Sequence, residues 1–184
     1  MRNRFALAVM LALTTMLAAC GGAKATPTPT PVAISAPFGG FRILSPVALT
    51  ETSEAVETNI GTLEVTTFQG KSGSFTYSVV YADYPAKYAG VDPASFLAAI
   101  RDDQVAGLGG SLVSEGRLDL AGVEGREIQI TAELEDGTKA IHRSRLYWSP
   151  TRLYQVSVLA PEERINEAAV VGFLESFELT DRAY

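Results

Sequence analysis

Few side chains in this 184-residue chain have a type and spacing that could do chemistry. His142 is the only histidine and sits in a predicted strand beside Arg143 and near Ser144. One imidazole with no second histidine or a nearby cysteine does not make an ordinary zinc site. A Ser-His-acid triad needs a serine presented on a sharp turn, and no G-x-S-x-G stretch occurs. His142 therefore reads as a structural or surface residue. Glu133, Glu135 and Asp136 gather carboxylates around a predicted hairpin. Paired carboxylates do acid–base work only at a set separation across a cleft, and carboxylates at a turn are usually solvated. Their spacing fits no calcium loop. Gly107-Leu108-Gly109-Gly110-Ser111 has the glycines of a phosphate loop but lacks the lysine and follows a helix. A helix start, not a helix end, offers free N–H groups.

Arg143 and Arg145 lie two apart, so they share one strand face with Ile141 and Tyr147. Two aligned guanidiniums could take a carboxylate or an acidic patch on a partner, which makes Arg143, Arg145 and Tyr147 the candidate partner surface. The competing reading is cross-strand pairing with Glu127 or Glu133, and it is the favoured one. No catalytic constellation, metal-ligand set or cofactor motif emerges, so neither an enzyme nor a cofactor is expected. The favoured class is a binding or protein-interaction module. The alternatives are a hydrolase using carboxylates near the 133–136 hairpin, or a purely structural protein.

The other reactive side chain is Cys20, the only cysteine. Arg2 and Arg4 open the chain, and a mostly apolar run follows from Phe5 to Met16. That is the make-up of a signal-peptide core, and it is short for a membrane-spanning helix. Leu17-Ala18-Ala19-Cys20 then resembles the lipobox of bacterial lipoproteins at all four positions. The resemblance implies cleavage after residue 19 and lipid, including fatty acyl chains such as palmitate, on Cys20. Two or more chains hold a membrane firmly, at about 0.8 kcal/mol per buried methylene. The expected address is the extracytoplasmic face of a cell membrane, with the membrane itself as the partner of Cys20. A lone cysteine leaves no internal disulfide. Removing residues 1–19 leaves 165 residues with 13 basic and 21 acidic side chains, a formal balance of −8. The acids are scattered, a pattern that suits solubility and disfavours nucleic acid.

Residues 20–40 read as a linker. Thr26-Pro27-Thr28-Pro29-Thr30-Pro31 favours polyproline II, which gains about 3.1 Å per residue. Residues 41–184 are then one domain, large enough to bury a core. Strands are predicted at 41–44, 48–58 (polar, an edge), 63–68 and 75–81, where Phe75, Tyr77, Val79 and Tyr81 alternate onto one face. Asp92 caps a helix with Pro93 at its first position, and Gly107, Gly109 and Gly110 end it. Four strands follow in a meander, 112–120, 124–134, 138–148 and 153–159, with Asp136-Gly137 as the strongest hairpin signal. A second helix is expected from Pro161, presenting Ile165, Ala168, Ala169, Gly172 and Phe173 on one face. A short strand at Phe177-Glu178-Leu179 closes the chain.

The expected fold class is α+β, an antiparallel sheet flanked by helices. Several stretches within residues 41–180 resemble the PsbP/Mog1 superfamily, in particular its bacterial PsbP-like domains of unknown function. These are Tyr81-Ala82-Asp83-Tyr84-Pro85, Gly125-Arg126-Glu127, Leu153-Tyr154-Gln155-Val156 and Phe173-Leu174-Glu175-Ser176-Phe177. The resemblance implies an α/β/α sandwich. It does not choose a function, because the superfamily includes a photosystem subunit and a Ran-binding nuclear protein. No residue here matches a photosystem or manganese site.

Overall fold

The computed structural model describes residues 30–58 and 60–180. Cys20, the signal peptide and the Thr-Pro run up to Pro29 lie outside them. Seven antiparallel strands form the main sheet: β3 (Thr50–Thr58), β4 (Gly61–Ser72), β5 (Phe75–Asp83), β6 (Leu112–Leu120), β7 (Val123–Glu133), β8 (Lys139–Ser149) and β9 (Arg152–Pro161). Their spatial order is β3-β4-β5-β9-β8-β7-β6. The meander β6 to β9 thus begins at the far edge and folds back until β9 pairs with β5. Helix α1 (Pro93–Leu108) makes the crossing from β5 to that edge. A smaller sheet holds β1 (Val32–Ala36), β2 (Phe41–Ser45) and β10 (Glu178–Leu179) in the order β1-β2-β10. The second helix is α2 (Ala168–Glu175).

The strand period of two sorts the side chains onto two faces of the main sheet. The front face carries Phe75, Tyr77 and Val79 of β5, Tyr154, Val156 and Val158 of β9, and Ile141 and Tyr147 of β8. Phe41 and Ile43 of β2, Phe173 and Leu174 of α2, and Phe177 close over it. Burying each such large side chain stabilises by about 1.5–3 kcal/mol. The rings interlock: Phe41 meets Phe68 edge-on at 5.3 Å, and Tyr147 stacks on Phe177 at 5.6 Å. Gly125 permits that stack, because a Cβ there would lie 2.5 Å from the Tyr147 ring.

The back face is covered over part of its width by α1. Asp92 caps this helix, accepting from the Ser95 N–H at 2.9 Å, and Gly109 ends it at φ +59°. Both signals were legible in the sequence. Leu97 of α1 packs with Ile128, Ile130, Leu146 and Trp148 into a second, smaller core. The molecule is therefore layered as expected, with α1 on one side and α2 together with the small sheet on the other.

Two expectations need correction. Residues 20–40 were expected to be linker throughout, yet Val32–Ala36 is a strand paired residue by residue with β2. The hairpin tip Pro37–Gly40 turns with Gly40 at φ +66° and brings Ala36 into the core, 6% exposed. The second helix does not run on from Pro161. A single 3-10 turn covers Glu162–Arg164, Ile165 drops into the core, and α2 starts at Ala168. The break turns the helix, so Val170, Phe173 and Leu174 are its buried residues. Ala168, Ala169 and Gly172 instead line a surface hollow with Leu44 and Pro46.

Candidate binding groove

The arginine strand resolves first. Glu127 of β7 stands opposite Arg145 in register. Its carboxylate accepts from Arg145 Nε at 2.6 Å and from Arg143 Nη2 at 2.7 Å. Arg145 also donates to the Leu174 carbonyl at 3.1 Å, and Arg143 donates to Asn166 Oδ1 at 3.2 Å. The three charged side chains keep only 12–20% exposure. Burial pushes the Glu127 carboxyl up, but the two arginine hydrogen bonds outweigh it and hold it below the usual range. Tyr147 is buried at 3% exposure. The cross-strand pairing favoured from sequence is present, with Glu127 as the acid, and the candidate partner surface of Arg143, Arg145 and Tyr147 is instead a mostly buried cluster that ties β7 and β8 to the segment around α2. Glu133, at the far end of β7, is not the acid it uses. A matching cluster sits near α1, where Glu115 accepts from Arg101 at 2.5 Å and from Arg126, which also holds the Ala94 carbonyl at 2.9 Å.

The hairpin carboxylates lie around an open hollow beside the β4–β5 turn, with Lys71 and Ser74 across from them. Asp136 accepts from the Thr138 N–H at 2.9 Å, which lowers its pKa and suits a turn rather than a general acid. Among the described residues no cluster of three or more His, Cys, Asp or Glu is placed to hold a metal.

The feature not anticipated from sequence lies on the back face, where α1 stops covering the sheet. A groove of about 330 Å³ runs over β4, β5, β9 and β8. Register builds its floor. Gln69 pairs with Ser78, Ser78 with Ser157, and Ser157 with Ser144, giving a polar row across four strands. Gln69 donates to Ser78 Oγ at 3.3 Å. Gln104 of α1 accepts from Ser144 Oγ at 3.2 Å and donates to Gln155 Oε1 at 2.6 Å, which ties the helix to a residue of the groove lining. Thr67, Thr76, Val80 and Leu159 complete the lining, and no charged side chain is part of it.

His142 is also in this lining. Its Nδ1 is buried with no hydrogen-bond partner, and burial lowers the ring's pKa to about 4. The imidazole is therefore neutral at pH 7. A buried N–H without an acceptor is rarer than a buried lone pair, so the proton belongs on Nε2. A triad histidine needs a carboxylate on Nδ1 to orient it, and here that atom meets none.

No protein-family model matches the chain, and no curated protein matches it in sequence. Solved structures do match in shape. The solution structure of cyanobacterial PsbP (CyanoP) from Synechocystis sp. PCC 6803 superposes with a TM-score of 0.54, covering 89% of this chain and 98% of that one. The fold is PsbP-like. Sequence identity to CyanoP is 14%, so the likeness extends to the fold alone. A Pseudomonas aeruginosa protein of unknown function, PA94, aligns over 65% of this chain and 87% of that one, at 11% identity and a TM-score of 0.40.

Proposed function

We propose that this PsbP-like protein is a membrane-tethered, extracytoplasmic binding module, held by lipid on Cys20 and binding its ligand in the back-face groove. The observation that carries the reading is the groove itself: a polar hollow on the back face where the cover of α1 ends, with no acid placed to drive a reaction on its histidine. The tether rests on Leu17-Ala18-Ala19-Cys20 and the charged, then apolar, start before it. No helix of the described residues is long and apolar enough to cross a membrane, so a lipid would serve as the anchor. The hydrolase alternative draws less support, because the carboxylates at 133–136 ring a turn and Asp136 is held ionised.

Two readouts test the reading. Labelled fatty acid should enter the wild type and not Cys20→Ser, because a hydroxyl cannot form the thioether; label in the variant would refute the tether. A ligand that binds only the native state raises the melting temperature by mass action. Fractions of envelope extract should therefore raise the Tm of the wild type. Ser157→Phe, which fills the groove, should abolish the rise. An equal rise in both proteins would move the binding site elsewhere.

A further inference from the structure

We propose that the groove takes a neutral carbohydrate, one or two pyranose units of a glycan. This inference rests on the groove being the binding site. Three features of the lining narrow the ligand. The first is the absence of charge. An ionic ligand entering a hollow lined by hydroxyls, amides and two aliphatic side chains would lose hydration and gain no counter-charge. The second is the kind of polar group. Ser and Thr hydroxyls both donate and accept, and Gln amides supply one of each. That repertoire matches a ligand whose own hydroxyls do both. Neighbouring strands are about 4.8 Å apart, so Ser78, Ser157 and Gln69 offer these groups at regular intervals. Val80 and Leu159 present apolar surface suited to the C–H face of a sugar ring.

The third is His142. Its buried Nδ1 lacks a partner, so the ring's remaining nitrogen carries the proton and is a donor that a sugar oxygen can satisfy. A peptide fits less well. Strand addition needs a free sheet edge, and β4, β5, β9 and β8 are all interior strands paired on both sides. A volume of about 330 Å³ is at the small end of ligand sites, which sets the size at one or two rings and the affinity in the millimolar range.

The sole histidine makes the test direct, because the chain has one imidazole and hence one set of ring ¹⁵N signals. The full chain in detergent micelles is titrated with D-glucose, N-acetyl-D-glucosamine and maltose, and with glucuronate and glucosamine as charged counterparts at matched ionic strength. At least one neutral sugar should shift the Nε2 signal, saturating with a Kd on the order of 1 mM. Ser157→Val and Gln155→Leu should weaken it about tenfold or more, and the charged sugars should bind about tenfold more weakly. If no neutral sugar moves the signal, or glucuronate binds as tightly as glucose, the carbohydrate assignment is overturned. If that happens while Ser157→Phe still abolishes the Tm rise with envelope fractions, the groove keeps its role and only the ligand class is wrong. If both fail, the binding reading falls with it.

Discussion

The two faces of the main sheet are built from the same strands, often from adjacent residues, and they differ in what closes them. On the front, Val79, Val156 and Val158 are fully buried beneath Phe41, Phe173 and Phe177. On the back, the residues next to them in sequence are Ser78, Gln155 and Ser157. The front is sealed by α2 and the small sheet. The back is sealed only as far as α1 reaches, and beyond Gln104 it opens into the groove. The alternation along β5 and β9 thus separates a face that stabilises the fold from a face kept polar. Burying serines brings little stability in itself, so their position points to a use other than packing.

The largest expected effect tests this division directly. Phe41→Ala should destabilise the domain by about 3–5 kcal/mol, as large-to-small changes of buried aromatics do. Ser157→Ala, on the back face of the main sheet, should cost less than about 1 kcal/mol. Urea denaturation of both variants measures it. Similar losses from the two changes would mean that the back-face row is structural and that the comparison of faces is wrong.

Most of the main sheet was legible in the sequence because its signals are local. Asp92-Pro93 and Gly109 mark the ends of α1, Asp136-Gly137 marks a hairpin, and alternation marks β5 and β7. The first strand was not legible. Val32–Ala36 is short and flanked by prolines, and it becomes a strand only because β2 and its buried partners pair with it. The helix after Pro161 was misplaced because Glu162 and Glu163 imitate a first turn, while the burial of Ile165 decides where the chain breaks. The groove was invisible for a topological reason. Its lining comes from residues 67 to 159 and is assembled by the pairing of β5 with β9. The one available signal was the spacing Thr76-x-Ser78, His142-x-Ser144 and Gln155-x-Ser157: small or polar residues on the second face of strands whose first face is apolar.

Glu127 supplies the next effect. The sequence allowed an exposed ion pair, a kind typically worth 0.2–1 kcal/mol. The structure places both guanidiniums against one carboxylate with little exposure, so removing the acid leaves two poorly solvated cations. Glu127→Ala should cost about 3 kcal/mol at pH 7, whereas Arg145→Ala should cost less because Arg143 still neutralises the acid. Thermal or urea unfolding of the pair checks the ordering. A loss under about 1 kcal/mol for Glu127→Ala would mean that water screens the cluster and that the front face depends on its apolar layer alone.

Acid should expose the difference between the faces most gently, through His142. In the unfolded chain its pKa is near 6.5, and in the fold burial lowers it to about 4. Above pH 6.5 the ring is neutral in both states and has no effect on stability through protonation. Between pH 6.5 and 4 the unfolded chain takes up a proton that the native state refuses, so stability falls as pH falls. At pH 5 the loss should be about 2 kcal/mol relative to pH 7.5. The lowered carboxyls of Glu127 and Glu115 act in a separate window. Their contribution is present above the ordinary carboxylate range and is lost only at still lower pH. His142→Leu should therefore flatten the stability profile between pH 6.5 and 4.5 and leave the steeper acid limb below it intact. Should wild type and His142→Leu lose stability in parallel from pH 7 downward, the imidazole would be solvated in the fold. Its Nδ1 would then have a water partner, and the groove would be wetter and less selective against charge than its lining implies.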